Sequence, residues 1–175
     1  MRIIPTTIAI LALTLPTAAQ ETQYSDDISA LPAPARLTYE ALLDAARTGS
    51  FEGLEKVRAD HGKDMQLGFG DAGTVTDFLL ANSLSGDGVD AMAGLVEILE
   101  APYARADAGD GTVYYVWPFL ARIEDLGALT LAERLEAYQL VDADTLDDFA
   151  DYGGWLATRT IIDADGRWTP IVAGD

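Results

Sequence analysis

From residue 37 to about residue 100 the apolar positions recur at helical spacing. In LTYEALLDAART (37–48), Leu37, Ala41, Leu42 and Ala45 share one face, and Gly49 supplies a stop. Ser50 stands where an N-cap is wanted for FEGLEKVRADHG, whose face is Phe51, Leu54 and Val57 and whose end is Gly62. Two helices joined this tightly should form an antiparallel hairpin. The segment GFGDAG (68–73) reads as a loop, and Thr74 with Asp77 three residues on makes a capping-box-like start for VTDFLLANSL. SGDG (85–88) breaks the chain again. In VDAMAGLVEILEAPY the apolar positions Val89, Met92, Ala93, Val96 and Leu99 then share a face, with Asp90, Glu97 and Glu100 mostly opposite, until Pro102 ends the helix.

The period changes near Gly109. GDGTVYYVWPFLA (109–121) places four aromatics, Tyr114, Tyr115, Trp117 and Phe119, within six residues, a β-branched and aromatic composition that predicts a strand. On a strand Tyr114, Val116 and Pro118 point one way and Tyr115, Trp117 and Phe119 the other, which makes both faces apolar. A one-sided sheet needs only one such face, so the second must be covered by the chain's own helices, by another copy, or by a ligand. Covering by helices is the plain expectation. The groove reading makes Tyr115, Trp117, Trp155 and Trp168 candidate ligand-binding residues, with both tryptophans of the closing hairpin able to join the same cluster.

Thr130 and Glu133 form a capping box for LAERLEAYQLV, and a short acidic helix is expected within DTLDDFADYGG. WLATRTII, the turn Asp163-Ala164-Asp165-Gly166 and RWTPIV read as a hairpin. Pro170 cannot donate to a ladder, so the last strand belongs at a sheet edge. The expected architecture is α+β: N-terminal helices packed on a small C-terminal antiparallel sheet built from about 112–119, 155–163 and 167–172.

The N-terminus adds an address. MRIIPTTIAILALTLPTAAQ has one positive charge at Arg2, an apolar run from Ile3 to Leu15, and small residues at Thr17 and Ala19 before a cut ahead of Gln20. This is the layout of a secretory signal peptide, and the run is shorter than the ~20 residues of a spanning helix. The expectation is a periplasmic or secreted protein with no membrane span after cleavage. Residues 20–34 lack periodicity and contain two prolines, and read as a flexible lead-in to a single domain over 35–175. Cleavage removes Arg2 from a 175-residue chain whose formal charge is already −18. A surface this acidic repels nucleic acid and anionic lipid. It suits a cationic partner, a calcium load or a salty habitat.

Several chemistries fall away on residue inventory. With no cysteine there are no disulfides, thiolate nucleophiles or thiolate-held metals. His61, the one histidine, lies at a helix end, where the dipole suffices to explain it, and no serine sits in a nucleophile elbow: Leu84-Ser85-Gly86-Asp87-Gly88 lacks the first glycine. Zinc would need three carboxylates around that histidine, and GFGDAG has neither the lysine nor the preceding strand of a phosphate loop. Asp142, Asp144, Asp147 and Asp148 cluster, and Asp163-Ala164-Asp165-Gly166 imitates the opening of a calcium loop, but neither carries the distal bidentate glutamate. Helix capping by Asp144 and turn chemistry at Asp165-Gly166 account for both. Among 29 acidic residues some carboxylate pair is inevitable, and so no pair is informative. No cofactor is implied.

The elements YVWPF (115–119), LTLAER (129–134) followed by YQLV (138–141), and the terminal WTPIVAGD (168–175) resemble an uncharacterised family of secreted alphaproteobacterial proteins with no assigned activity. The resemblance spans the helical hairpin to the last residue. It implies one unit and supplies no site residues. The function expected is therefore an exported acidic, non-catalytic binding or interaction module with an envelope or extracellular partner. The alternative is a small carboxylate-dependent hydrolase of cell-envelope glycans or peptides. An enzyme should show two acids converging in a concave site; a binding module should show an exposed apolar patch.

Overall fold

A computed structural model describes residues 24–62, 67 and 73–172. The expected signal segment 1–19 with its cut ahead of Gln20, the expected loop over 68–72 and the terminal 173–175 lie outside the described residues. The expected α+β architecture is present. Its sheet is a meander of β1 (Tyr24–Ser25), β2 (Tyr103–Asp107), β3 (Val113–Trp117), β4 (Arg159–Asp163) and β5 (Trp168–Val172), in chain order and antiparallel throughout. The register sets Ala104 beside Val116 and Val116 beside Ile161. β5 is an edge strand, as Pro170 requires.

The expected strands correspond to β3, β4 and β5, although β4 begins at Arg159 rather than Trp155. The two others are corrections to the sequence reading. β2 is YARAD, whose alanines and charges have little β-propensity; it is a strand because β3 pairs with it. The loop between them is closed by Asp107, which accepts the Gly109 N–H at 2.8 Å, and by Asp110, which accepts the Thr112 N–H at 2.8 Å. The supposed flexible lead-in is anchored from Tyr24 onward: β1 pairs with β2, the Tyr24 ring stacks on Phe119 at 4.3 Å, and Leu31 is buried.

Among the described residues between β1 and β2 lie four α-helices: α1 (Ala33–Arg47), α2 (Phe51–His61), α3 (Val75–Ala81) and α4 (Val89–Glu100). α1 starts four residues before Leu37 because Pro34 is tolerated in a first turn, where its missing N–H is not needed. The caps are as expected. Ser50 Oγ accepts the Gly53 N–H at 2.9 Å, and Thr74 and Asp77 complete a reciprocal capping box. Two helical faces differ from the sequence reading. Leu37 is 60 % exposed, whereas Leu42 and Ala45 are buried as expected and α1 adds Ala35, Thr38, Tyr39, Leu43 and Ala46 to the buried side. Val89 and Ala93 are exposed, and α4 buries Met92, Leu95, Ile98 and Leu99. Polar tips select this rotation of α1: the Tyr39 hydroxyl donates to Leu99 O at 3.1 Å, and the Thr38 hydroxyl donates to Gly166 O at 2.7 Å.

The chain covers both sides of its sheet. On one side the four helices pack against Tyr103, Tyr115, Trp117, Ile162 and Trp168. On the other lies the insertion between β3 and β4: 3-10 turns at Phe119–Arg122 and Leu126–Ala128, then α5 (Leu131–Leu140) and α6 (Ala143–Tyr152). Its core joins Ala104 with Phe119, Leu120, Leu126, Leu129, Ala137, Leu146 and Trp155. Phe119 was expected beside Tyr115 and Trp117. It crosses to the second side because the strand ends at Trp117 and the chain turns into a 3-10 helix, which abandons the two-residue alternation.

Asp142, not Asp144, caps α6, accepting the Thr145 N–H at 2.7 Å. Thr130 and Glu133 close the expected box on α5, with the Thr130 N–H bonded to the glutamate at 2.8 Å and its hydroxyl at 2.7 Å. Since α5 buries little else, its cap should matter: Thr130→Ala is expected to lower stability by about 1 kcal/mol, read as a shifted urea midpoint.

Candidate functional site

The four aromatic candidates occupy the interior and do not form one cluster. Tyr115, Trp117 and Trp168 are together on the side of α1–α4, and Trp155 is across the sheet. Trp117 has no exposed surface and packs between Tyr39, 5.4 Å away, and Tyr103, 5.3 Å away. Its indole Nε1 has no hydrogen-bond partner. Trp168 is buried alongside and donates its indole N–H to Thr160 Oγ1 at 2.7 Å. Trp155 meets Phe149 edge-on at 5.4 Å and donates weakly to Thr158 O at 3.3 Å.

Trp155 also forms the floor of an open cavity of about 430 Å³ at the C-terminal end of α6, which Ile123, Tyr152, Gly153 and Arg159 help to line. No lining residue is acidic. The Arg159 guanidinium donates to Trp155 O at 3.3 Å.

Several of the acids are otherwise employed. Asp27, Asp60, Asp87, Asp90, Asp110 and Asp142 are all held below the usual carboxylate range, chiefly by hydrogen bonds from Ser29, Lys56, Ser85, Ser83, Thr112 and Thr145 respectively. Five of these close caps and turns, and Asp60 pairs with Lys56 along α2; all stay ionised, whereas a general acid needs the opposite shift. Asp163, which opened the calcium-like tetrad, is turned inward and only 2 % exposed. It accepts N–H bonds from Asp165 at 3.0 Å and Arg167 at 2.8 Å, and the Arg167 guanidinium at 2.7 Å. Among the described residues no group of three or more histidine or acidic side chains is arranged to hold a metal ion. His61 occupies the last turn of α2.

The surface feature that stands out is the outer side of α5. Leu131, Leu135 and Tyr138 are 74 %, 59 % and 42 % exposed, while Ala137 is the one residue of the helix that is fully buried. At 100° per residue these three side chains fall within an arc of about 60°, opposite the inward Ala137–Leu140 side. The neighbouring helix α6 carries an acidic ridge. α6 turns Leu146 inward and presents Asp144, Asp147, Asp148 and Asp151 to solvent. Arg134 covers part of the α5 row: it lies 5.7 Å from the Tyr138 ring centre and donates to the Tyr138 hydroxyl at 3.1 Å.

Reading LAERLEAYQLV for its cap alone misses this face. The signal was present, because Leu131, Leu135 and Tyr138 recur at i, i+4 and i+7 in addition to Ala137, Leu140 and Val141, more apolar surface than one buried stripe uses. Comparison with protein-family models, with curated proteins and with solved structures finds no match. Among the described residues no helix is long and apolar enough to cross a membrane.

Proposed function

We propose that the protein is an exported, acidic, non-catalytic interaction module that engages an envelope or extracellular partner through the outer side of α5. The observation that carries this reading is the solvent-facing row Leu131, Leu135 and Tyr138 on a helix whose opposite side already serves the core. Contiguous exposed apolar side chains of this kind mark interaction surfaces. The carboxylate-hydrolase alternative draws no support from the Trp155 cavity, which lacks an acid, or from the acids committed to caps and turns.

Export is tested by intact mass of the protein recovered from a periplasmic or culture fraction, which should lack the first 19 residues; a membrane-held species retaining Met1 would count against it. Interaction is tested with a photo-crosslinking residue at position 135 and, as control, at exposed position 52 on α2. A discrete adduct is expected from position 135 alone. Turnover of a glycan or peptide substrate that one Asp or Glu substitution abolishes would replace this reading with the hydrolase.

A further inference from the structure

We propose that the α5–α6 surface receives a cationic amphipathic helix from the partner, its apolar side against Leu131, Leu135 and Tyr138 and its lysines or arginines over Asp144, Asp147, Asp148 and Asp151. This deepens the interaction-module reading and rests on it. The apolar row extends about 10 Å along α5, two helical turns, the length over which an i, i+4, i+7 set of anchors meets its match on a second helix. Helix-on-helix packing needs accessible side chains in a row; Leu131 and Leu135, 74 % and 59 % exposed, present open apolar surface, and Tyr138, 42 % exposed, continues the row with Arg134 at its ring.

Charge selects the sign of the occupant. Along α6, Asp144, Asp147, Asp148 and Asp151 recur at three- and four-residue intervals and project on the exposed side. α5 and α6 are consecutive in the chain and in contact, so the acidic ridge and the apolar row belong to neighbouring helices. An anionic lipid surface would be repelled, and a second copy would bring the same excess of carboxylates into the interface on a chain of formal charge −18. Complementary charge beside an apolar anchor provides both steering and register.

The test uses the exported form of the full chain and a fluorescein-labelled leucine–lysine peptide of roughly 14 residues, about four turns patterned to be amphipathic. Fluorescence anisotropy should show saturable binding that weakens with salt. The paired substitution Leu131→Ser, Leu135→Ser should weaken it at least tenfold with an unchanged melting curve, because both side chains are exposed. Asp147→Asn with Asp151→Asn should weaken it and flatten the salt dependence, and a leucine–glutamate peptide should not bind.

Equal binding by the serine variant and the wild type would overturn the proposal, since the peptide would then be held by diffuse charge alone. So would a wild-type dimer that the serine substitutions split, which would make this side a contact between copies. If the wild type ignores the peptide yet still gives its adduct from position 135, the cationic helix is wrong and the interaction module stands. Loss of both, with acid-dependent turnover, removes the module as well.

Discussion

Trp117→Ala is expected to lower unfolding stability by about 3–5 kcal/mol, the range for losing a fully buried large aromatic and leaving part of its volume empty. Trp117 is 0 % exposed and is packed between Tyr39 on α1 and Tyr103 on β2, so its removal loosens the helix–sheet contact and the β2–β3 pair together. Against a total of ~5–15 kcal/mol for a domain of this kind, the loss should be plain in a urea titration. Trp117→Phe should cost less than half as much, because the ring still fills most of the space and the unpartnered indole N–H disappears with its desolvation cost. Tyr115→Ala, on the same side of β3, should behave like Trp117→Ala. An unchanged urea midpoint in Trp117→Ala would show that this residue does not hold the core.

Gly166→Ala is expected to cost about 2–4 kcal/mol, with two separable causes. Gly166 has φ +85°, a conformation that disfavours any residue with a Cβ. A Cβ there would also lie 2.7 Å from Pro34 O and 2.8 Å from Pro34 C, which are backbone atoms at the start of α1 and cannot rotate away. Shifting the turn instead would pull Gly166 O from the buried Thr38 hydroxyl, 2.7 Å away. Gly109→Ala separates the causes: φ is +81° but nothing lies within 4 Å of its Cβ, so only the backbone cost of roughly 1–2 kcal/mol remains. Thermal unfolding of the two variants in parallel should therefore show the larger loss at Gly166. Equal losses would mean that the contact with α1 yields without cost.

Both substitutions probe joints that differ in how far they could be read from the chain. The turn at 163–166 was legible from Asp-Ala-Asp-Gly, since the Gly166 N–H reaches Asp163 O only three residues back, at 3.0 Å. That Gly166 abuts the first turn of α1 was not, because Pro34 is more than a hundred residues away. The apolar character of 113–119 marked a buried strand correctly, and the core placement of Trp117 followed from it. The same pattern assigned Phe119 and Trp155 to the wrong side, since alternation carries no information once the chain leaves the strand. At the α5 surface the helix and its cap were visible in LTLAER, whereas the choice of which apolar residues turn outward waited on Ala137 and Leu140 meeting the insertion's own core.

What the sequence by itself determined is what short-range bonds determine. The starts of α2, α3 and α5 at Ser50, Thr74 and Thr130, the breaks at Gly49 and Gly62, and the β4–β5 hairpin each depend on hydrogen bonds or backbone preferences within about four residues. The tertiary structure alone decided that YARAD is a strand and that Tyr24 joins the sheet. It also decided that α1 turns Leu37 outward and that both faces of β3 are covered by this same chain. Those outcomes hang on partners far along the sequence, such as Tyr39 with Leu99 and Thr38 with Gly166. A periodic pattern states how much apolar surface must be buried, but packing against a distant element selects which side chains supply it.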